Sequence, residues 1–133
     1  KQEEYQLLNY AESISFERPE LFRELHTCGW NKRCQLLPEF SFCKYKAGFE
    51  EVHDKDYFDI VFYDAFSPEV QPDLWTEEIL ANFISALKQE GVLVTYCVKG
   101  IVKQALRCLG MQVKRLPGPP GKREMLLAKK PAQ

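Results

Sequence analysis

Apolar residues in this chain recur at two periods, and the switches between them mark out the elements. Tyr5, Leu7, Leu8 and Ala11 follow a helical spacing up to about Ile14. Pro19 suits the first position of a second helical stretch over residues 20–26, because a first-turn N–H has no partner within the helix. Residues 29–38 read as loop. Phe40-Ser41-Phe42-Cys43-Lys44-Tyr45 alternates apolar and polar, which predicts a strand near a sheet edge. Phe58-Asp59-Ile60-Val61-Phe62-Tyr63 is instead a short apolar run ending at Asp64, and predicts a strand buried on both faces. Pro68 and Pro72 then mark a loop. Thr76 is placed to cap a helix, with Glu77 and Glu78 favourable near its amino-terminal dipole. Ile79, Leu80, Phe83, Ile84 and Leu87 form the apolar face of that helix, and Gly91 is expected to stop it.

Residues 92–97 predict a second buried strand. Val102, Leu106 and Leu109 predict another helix, ended by Gly110. Residues 111–116 alternate again, residues 117–122 form a turn rich in proline and glycine, and residues 124–128 predict a last strand. Alternating strands and helices imply a parallel sheet with right-handed crossovers. The last two strands have no helix between them, so they are expected to pair as an antiparallel hairpin. The expected fold is therefore α/β and Rossmann-like, with parallel strands closed by an antiparallel hairpin, all within one domain over residues 1–133.

Composition narrows the class. Hydrophobic residues make up 45% of the 133, enough for a packed core. Eighteen basic and nineteen acidic residues give a net charge of -1, which excludes a uniformly basic nucleic-acid coat but leaves room for a local basic patch. No apolar run approaches the roughly 20 residues that span a bilayer, so no membrane partner is expected. The five cysteines are odd in number and include no C-x-x-C pair. That argues against a disulfide framework or a metal site and for a reduced, cytoplasmic setting.

The chemistry is expected just after the first buried strand, since ligands of open α/β sheets bind beyond the carboxyl ends of strands. There the chain reads Asp64-Ala65-Phe66-Ser67-Pro68-Glu69-Val70-Gln71-Pro72-Asp73-Leu74-Trp75-Thr76, with a carboxylate, two aromatics and two stiffening prolines. A carboxylate can orient an amine and stabilise the ammonium formed from it. Asp64 equally suits a turn cap. Trp75 reads better as a core anchor, and Phe66 fits either role. Lys122 and Arg123, in the run Pro117-Gly118-Pro119-Pro120-Gly121-Lys122-Arg123-Glu124, could meet phosphates or simply be solvated. Lys99-Gly100 follows the second buried strand at the same sheet edge as Asp64.

Residues 58–76, FDIVFYDAFSPEVQPDLWT, resemble the hallmark segment of the methyltransferases that act on 5-aminomethyl-2-thiouridine at the tRNA wobble position, the MnmC methyltransferase domain and its single-domain relatives. Residues 91–100, GVLVTYCVKG, and 116–125, LPGPPGKREM, agree in the right order, and residues 4–10 resemble the segment after the family's first acidic strand. The resemblance implies a class I methyltransferase fold, S-adenosylmethionine as methyl donor and tRNA as partner. An oxidase is the family's fusion partner. By position, Asp64 would lie beside the methyl group and the target amine, with Phe66, Ser67 and Pro68 shaping the pocket. Lys122 and Arg123 would belong to a loop that closes the site or meets tRNA.

Two departures qualify this. No G-x-G occurs, so the family's glycine-rich cofactor loop is expected to precede Lys1, and the chain reads as the carboxy-terminal part of the domain. Phe49, followed by Glu50, stands where the family has an adenine-facing aspartate, so adenine recognition is expected to be weakened there, and Phe49 and Glu50 are the cofactor-binding candidates beside Asp64. Taken alone, the chain is expected to bind the cofactor poorly and to be inactive. The competing reading is a degenerate, non-catalytic module for binding or assembly, whose exposed sheet edge would favour a homo-oligomer. A nucleotide-dependent oxidoreductase fits the alternation but has no fingerprint here.

Overall fold

The computed structural model describes residues 19–132, and the chain divides after Ala47 into two compact units. The predicted helix near Tyr5 to Ile14 and the resemblance at residues 4–10 lie outside the described residues. In the first unit, helix α1 (Pro19–Thr27) is followed by strands β1 (Arg33–Leu37) and β2 (Phe40–Cys43), paired antiparallel. The expected loop over residues 29–38 therefore contains a strand. Its side chains show no clean alternation of burial, so the pairing comes from the backbone ladder across the turn at Pro38 and Glu39.

The second unit carries a four-stranded sheet in the order β3-β4-β6-β5: β3 (Phe58–Phe62), β4 (Leu87–Thr95), β5 (Gln112–Pro117) and β6 (Glu124–Lys129). β3 and β4 are parallel, with Ile60 opposite Val92 and Phe62 opposite Val94. β6 is antiparallel to both β4 and β5, as expected of a closing hairpin. Helix α2 (Glu77–Ala86) crosses from β3 to β4, and α3 (Gly100–Cys108) from β4 to β5. The Thr76 side chain accepts the Ile79 N–H at 3.3 Å, the expected cap. Gly110, at φ +82°, takes the left-handed conformation that ends α3.

Two expectations change. Helix α2 stops at Ala86 rather than near Gly91, because Asp56 and Tyr57 donate their N–H groups to the carbonyls of Ser85 and Ala86. The residues between Leu87 and Val92 bulge out of the β3–β4 register, with Glu90 at φ +62°. Second, β3 is not buried on both faces. Ile60 is 50% and Phe62 76% exposed. Helices α2 and α3 share one core with a single sheet face, built from Leu80, Ile84, Leu93, Val102, Leu106 and Leu126. The other face, with Ile60, Phe62, Val94, Met125 and Leu127, stays exposed or half-buried. Among the described residues β3 pairs only with β4.

Candidate active site

Both parallel strands end at the same rim of the sheet. The ladder runs one residue past β3, through the Tyr63 N–H to the Val94 carbonyl at 2.8 Å, and leaves Asp64 at the exposed tip. Beneath the tip, Tyr63 is buried and stacks edge-to-face with Trp75 at 5.0 Å, Phe83 at 5.0 Å and Phe49 at 5.5 Å. Its hydroxyl donates to the Leu74 carbonyl, and burial pushes its pKa upward.

These contacts hold the loop that follows Asp64. The buried Trp75 donates its indole N–H to the Phe66 carbonyl at 2.7 Å. The Ser67 carbonyl accepts the N–H groups of Val70 at 2.8 Å and Gln71 at 3.0 Å. Lys99, just before α3, forms an ion pair with Glu69. Trp75 is thus a core anchor, and the loop is fastened at both ends and in the middle.

Two cavities meet at Asp64. The first, about 350 Å³, is lined by Phe62, Val94, Thr95, Tyr96, Pro117 and Met125 among others, and among the described residues Asp64 is its only charged one. The second, about 520 Å³, is lined by Asp64, Ser67, Thr95, Tyr96, Lys99 and Lys122 among others. Both sizes fall in the range of small-molecule sites, roughly 300–1,000 Å³. Asp64, Ser67 and Lys122 therefore come together. Phe66 is 71% exposed and enters the loop through its backbone, and neither Pro68 nor Arg123 lines either cavity. Phe49 packs into the aromatic cluster, while Glu50 is exposed, and both stand apart from the two cavities. Among the described residues no group of three or more His, Cys, Asp or Glu side chains is placed to hold a metal, and no helix is long and apolar enough to cross a membrane.

Sequence reasoning missed Thr95 and Tyr96. Thr95 is buried, and its hydroxyl accepts the Cys97 N–H at 3.2 Å, closing a tight turn at the end of β4. Tyr96 follows on the rim, 45% exposed and common to both cavities. The signal was an aromatic just past an apolar strand, at the place equivalent to Asp64 on β3.

A parallel pair closed by an antiparallel hairpin, with a carboxylate at a strand tip, is an architecture that methyltransferases use. The chain belongs to a family described as S-adenosyl-L-methionine-dependent methyltransferase, whose model matches residues 12–131. It is 36% identical over 75 residues to the tRNA 5-methylaminomethyl-2-thiouridine biosynthesis bifunctional protein MnmC of Actinobacillus pleuropneumoniae serotype 5b, covering 56% of this chain and 11% of that protein. The MnmC protein of Azoarcus sp. strain BH72 is 38% identical over 68 residues, covering 51% of this chain and 11% of that protein. The chain thus matches about a tenth of the length of these relatives. The crystal structure of MNMC2 from Aquifex aeolicus superposes with a TM-score of 0.60 at 27% identity, over 68% of this chain and 30% of that one.

Proposed function

We propose that this chain is the carboxy-terminal portion of a single methyltransferase domain that moves a methyl group from S-adenosylmethionine to the aminomethyl nitrogen of 5-aminomethyl-2-thiouridine at the wobble position of tRNA. Family membership supports the reaction class, and the names of the MnmC relatives support the tRNA substrate. The observation that carries the reading is Asp64, an exposed carboxylate at the tip of β3 that faces both cavities.

The charges divide the work. A cavity that carries the Asp64 carboxylate and is walled by Phe62, Val94 and Met125 suits the cationic sulfonium end of the cofactor. The neighbouring cavity, with Lys99 and Lys122, suits a phosphate-bearing substrate. When bound, the cofactor would supply an electrophilic methyl group carried on a sulfonium that can leave as a neutral thioether. The amine must present a neutral lone pair in line with that methyl, which is mainly a matter of positioning. Asp64 accepts a hydrogen bond from the amine and so aims the lone pair. The same carboxylate would stabilise the ammonium formed when the amine takes the methyl group, and would pass its proton on to water. Ser67, Phe66 and Pro68 keep the loop beside Asp64 in shape, and Lys122 with Arg123 gives the rim its positive charge. Phe49 and Glu50 are assigned to the adenine end only by their position in the chain. A tRNA substrate supports a cytoplasmic location.

The test is methyl transfer to tRNA bearing 5-aminomethyl-2-thiouridine by a complete methyltransferase domain that carries this chain, followed by nucleoside analysis. The methylaminomethyl product is expected, and its absence with cofactor and substrate both saturating would refute the assignment. Asp64→Asn should lower kcat by roughly a hundredfold. Its melting temperature should stay unchanged, because the side chain is exposed. Unaltered turnover would remove Asp64 from its role.

A further inference from the structure

We infer that Tyr96 is a positioning residue whose ring face receives the substrate's pyrimidine base, with Lys122 held over the ring to fix the adjoining phosphate. This rests on the reading above that the site accepts an RNA nucleotide. Three observations carry it. Tyr96 is an aromatic side chain 45% exposed on the rim of an enzyme-like cleft, and it lies between the two cavities that share Asp64. Burying its ring against a base would recover apolar area now in water, and any base offers a face to stack on. The backbone beneath it is firm, since Thr95 is buried and its hydroxyl holds the Cys97 N–H.

The third observation is the placement of Lys122. Its Nζ lies 6.0 Å from the Tyr96 ring centroid, at the outer limit of a cation–π contact. The ammonium therefore lies over the ring at that distance, within reach of an anion bound beside it. Gly118 makes this placement possible. A Cβ there would come within 2.4 Å of the Lys122 carbonyl oxygen and 2.9 Å of its Cβ. Any side chain at 118 would displace the Lys122 backbone from its position here. The glycine-proline turn is thus a support that sets one cation against one aromatic face, next to the carboxylate of Asp64. A base stacked on Tyr96 would bring a substituent on its edge toward Asp64, and its phosphate toward Lys122.

The experiment compares a complete methyltransferase domain carrying the wild-type chain with its Tyr96→Phe, Tyr96→Leu and Gly118→Ala variants. Affinity for a fluorescently labelled RNA hairpin with 5-aminomethyluridine in its loop is measured by anisotropy, and melting temperature serves as the folding control. Tyr96→Leu should weaken binding about tenfold, the scale of one lost stacked base. Tyr96→Phe should bind within about twofold of wild type, because the face and not the hydroxyl makes the contact. Gly118→Ala should weaken binding and flatten its salt dependence, through the displaced Lys122. In methyl-transfer assays the Tyr96→Leu defect should fall on KM for tRNA, with kcat held within about threefold. Equal affinity for wild type and Tyr96→Leu would overturn the inference, as would a Tyr96→Phe loss as large as that of Tyr96→Leu. A protein that binds the hairpin as expected but transfers no methyl would overturn the proposed function while leaving Tyr96 as a base-binding residue.

Discussion

Tyr63 shows how one side chain links the core to the site. Its ring sits among Phe49, Trp75 and Phe83, its backbone extends the ladder to Asp64, and its hydroxyl secures the Leu74 carbonyl of the following loop. Burial favours the neutral phenol, so the folded pKa is raised above the ordinary value of 10.0. The sign follows from proton linkage. The folded state holds this proton more tightly, so the contribution to stability is complete below pH 10.0 and is lost as the pH climbs toward the raised folded value. Chemical denaturation across the alkaline range should show that decline for the wild type and a flatter curve for Tyr63→Phe. At neutral pH the same substitution should cost about 1–2 kcal/mol, since the Leu74 carbonyl loses its partner. Tyr63 was visible in the sequence only as the last residue of an apolar run. Nothing there showed that its hydroxyl would reach eleven residues along the chain.

At the scale of elements, β4 carries both the least and the most legible features. Val92, Leu93 and Val94 were readable as a buried strand, and the Thr76 cap announced the helix before it. The bulge over residues 88–91 was not readable, because the glycine that marks it resembles a helix stop. In the fold, Gly91 is where β4 returns to register, and a Cβ there would lie 2.9 Å from the Lys88 carbonyl oxygen and 3.2 Å from that of Asp59. Both neighbours are backbone, so neither can turn aside. Gly91→Ala should therefore destabilise the protein by about 1–3 kcal/mol, the cost of forced overpacking, read from denaturant midpoints at constant m-value. A neutral result would mean that the bulge relaxes freely.

At the scale of the whole molecule, among the described residues one face of the second unit's sheet is packed and the other is open, with β3 at the end of the strand order. Ile60 and Phe62 on that edge strand are half or more exposed. An uncovered edge with apolar side chains favours pairing with a second copy of this chain. Sedimentation of the chain across a range of concentrations is expected to show reversible self-association, and Phe62→Lys should suppress it without lowering the melting temperature. A monomer at every concentration would exclude this.

The sequence by itself determined the order of strands and helices in the second unit, the parallel pair and closing hairpin, and the position of Asp64, but not where the helix before β4 ends. Each rests on local physics: apolar period, a cap, a glycine and a strand end. The tertiary structure alone decided that Thr95 and Tyr96 share the rim with Asp64, that Phe49 joins an aromatic cluster, and that one face of β3 stays open. Those facts depend on which residues distant in the chain become neighbours. A pattern of polar and apolar positions states which side chains leave water, and it carries no record of the partners they meet.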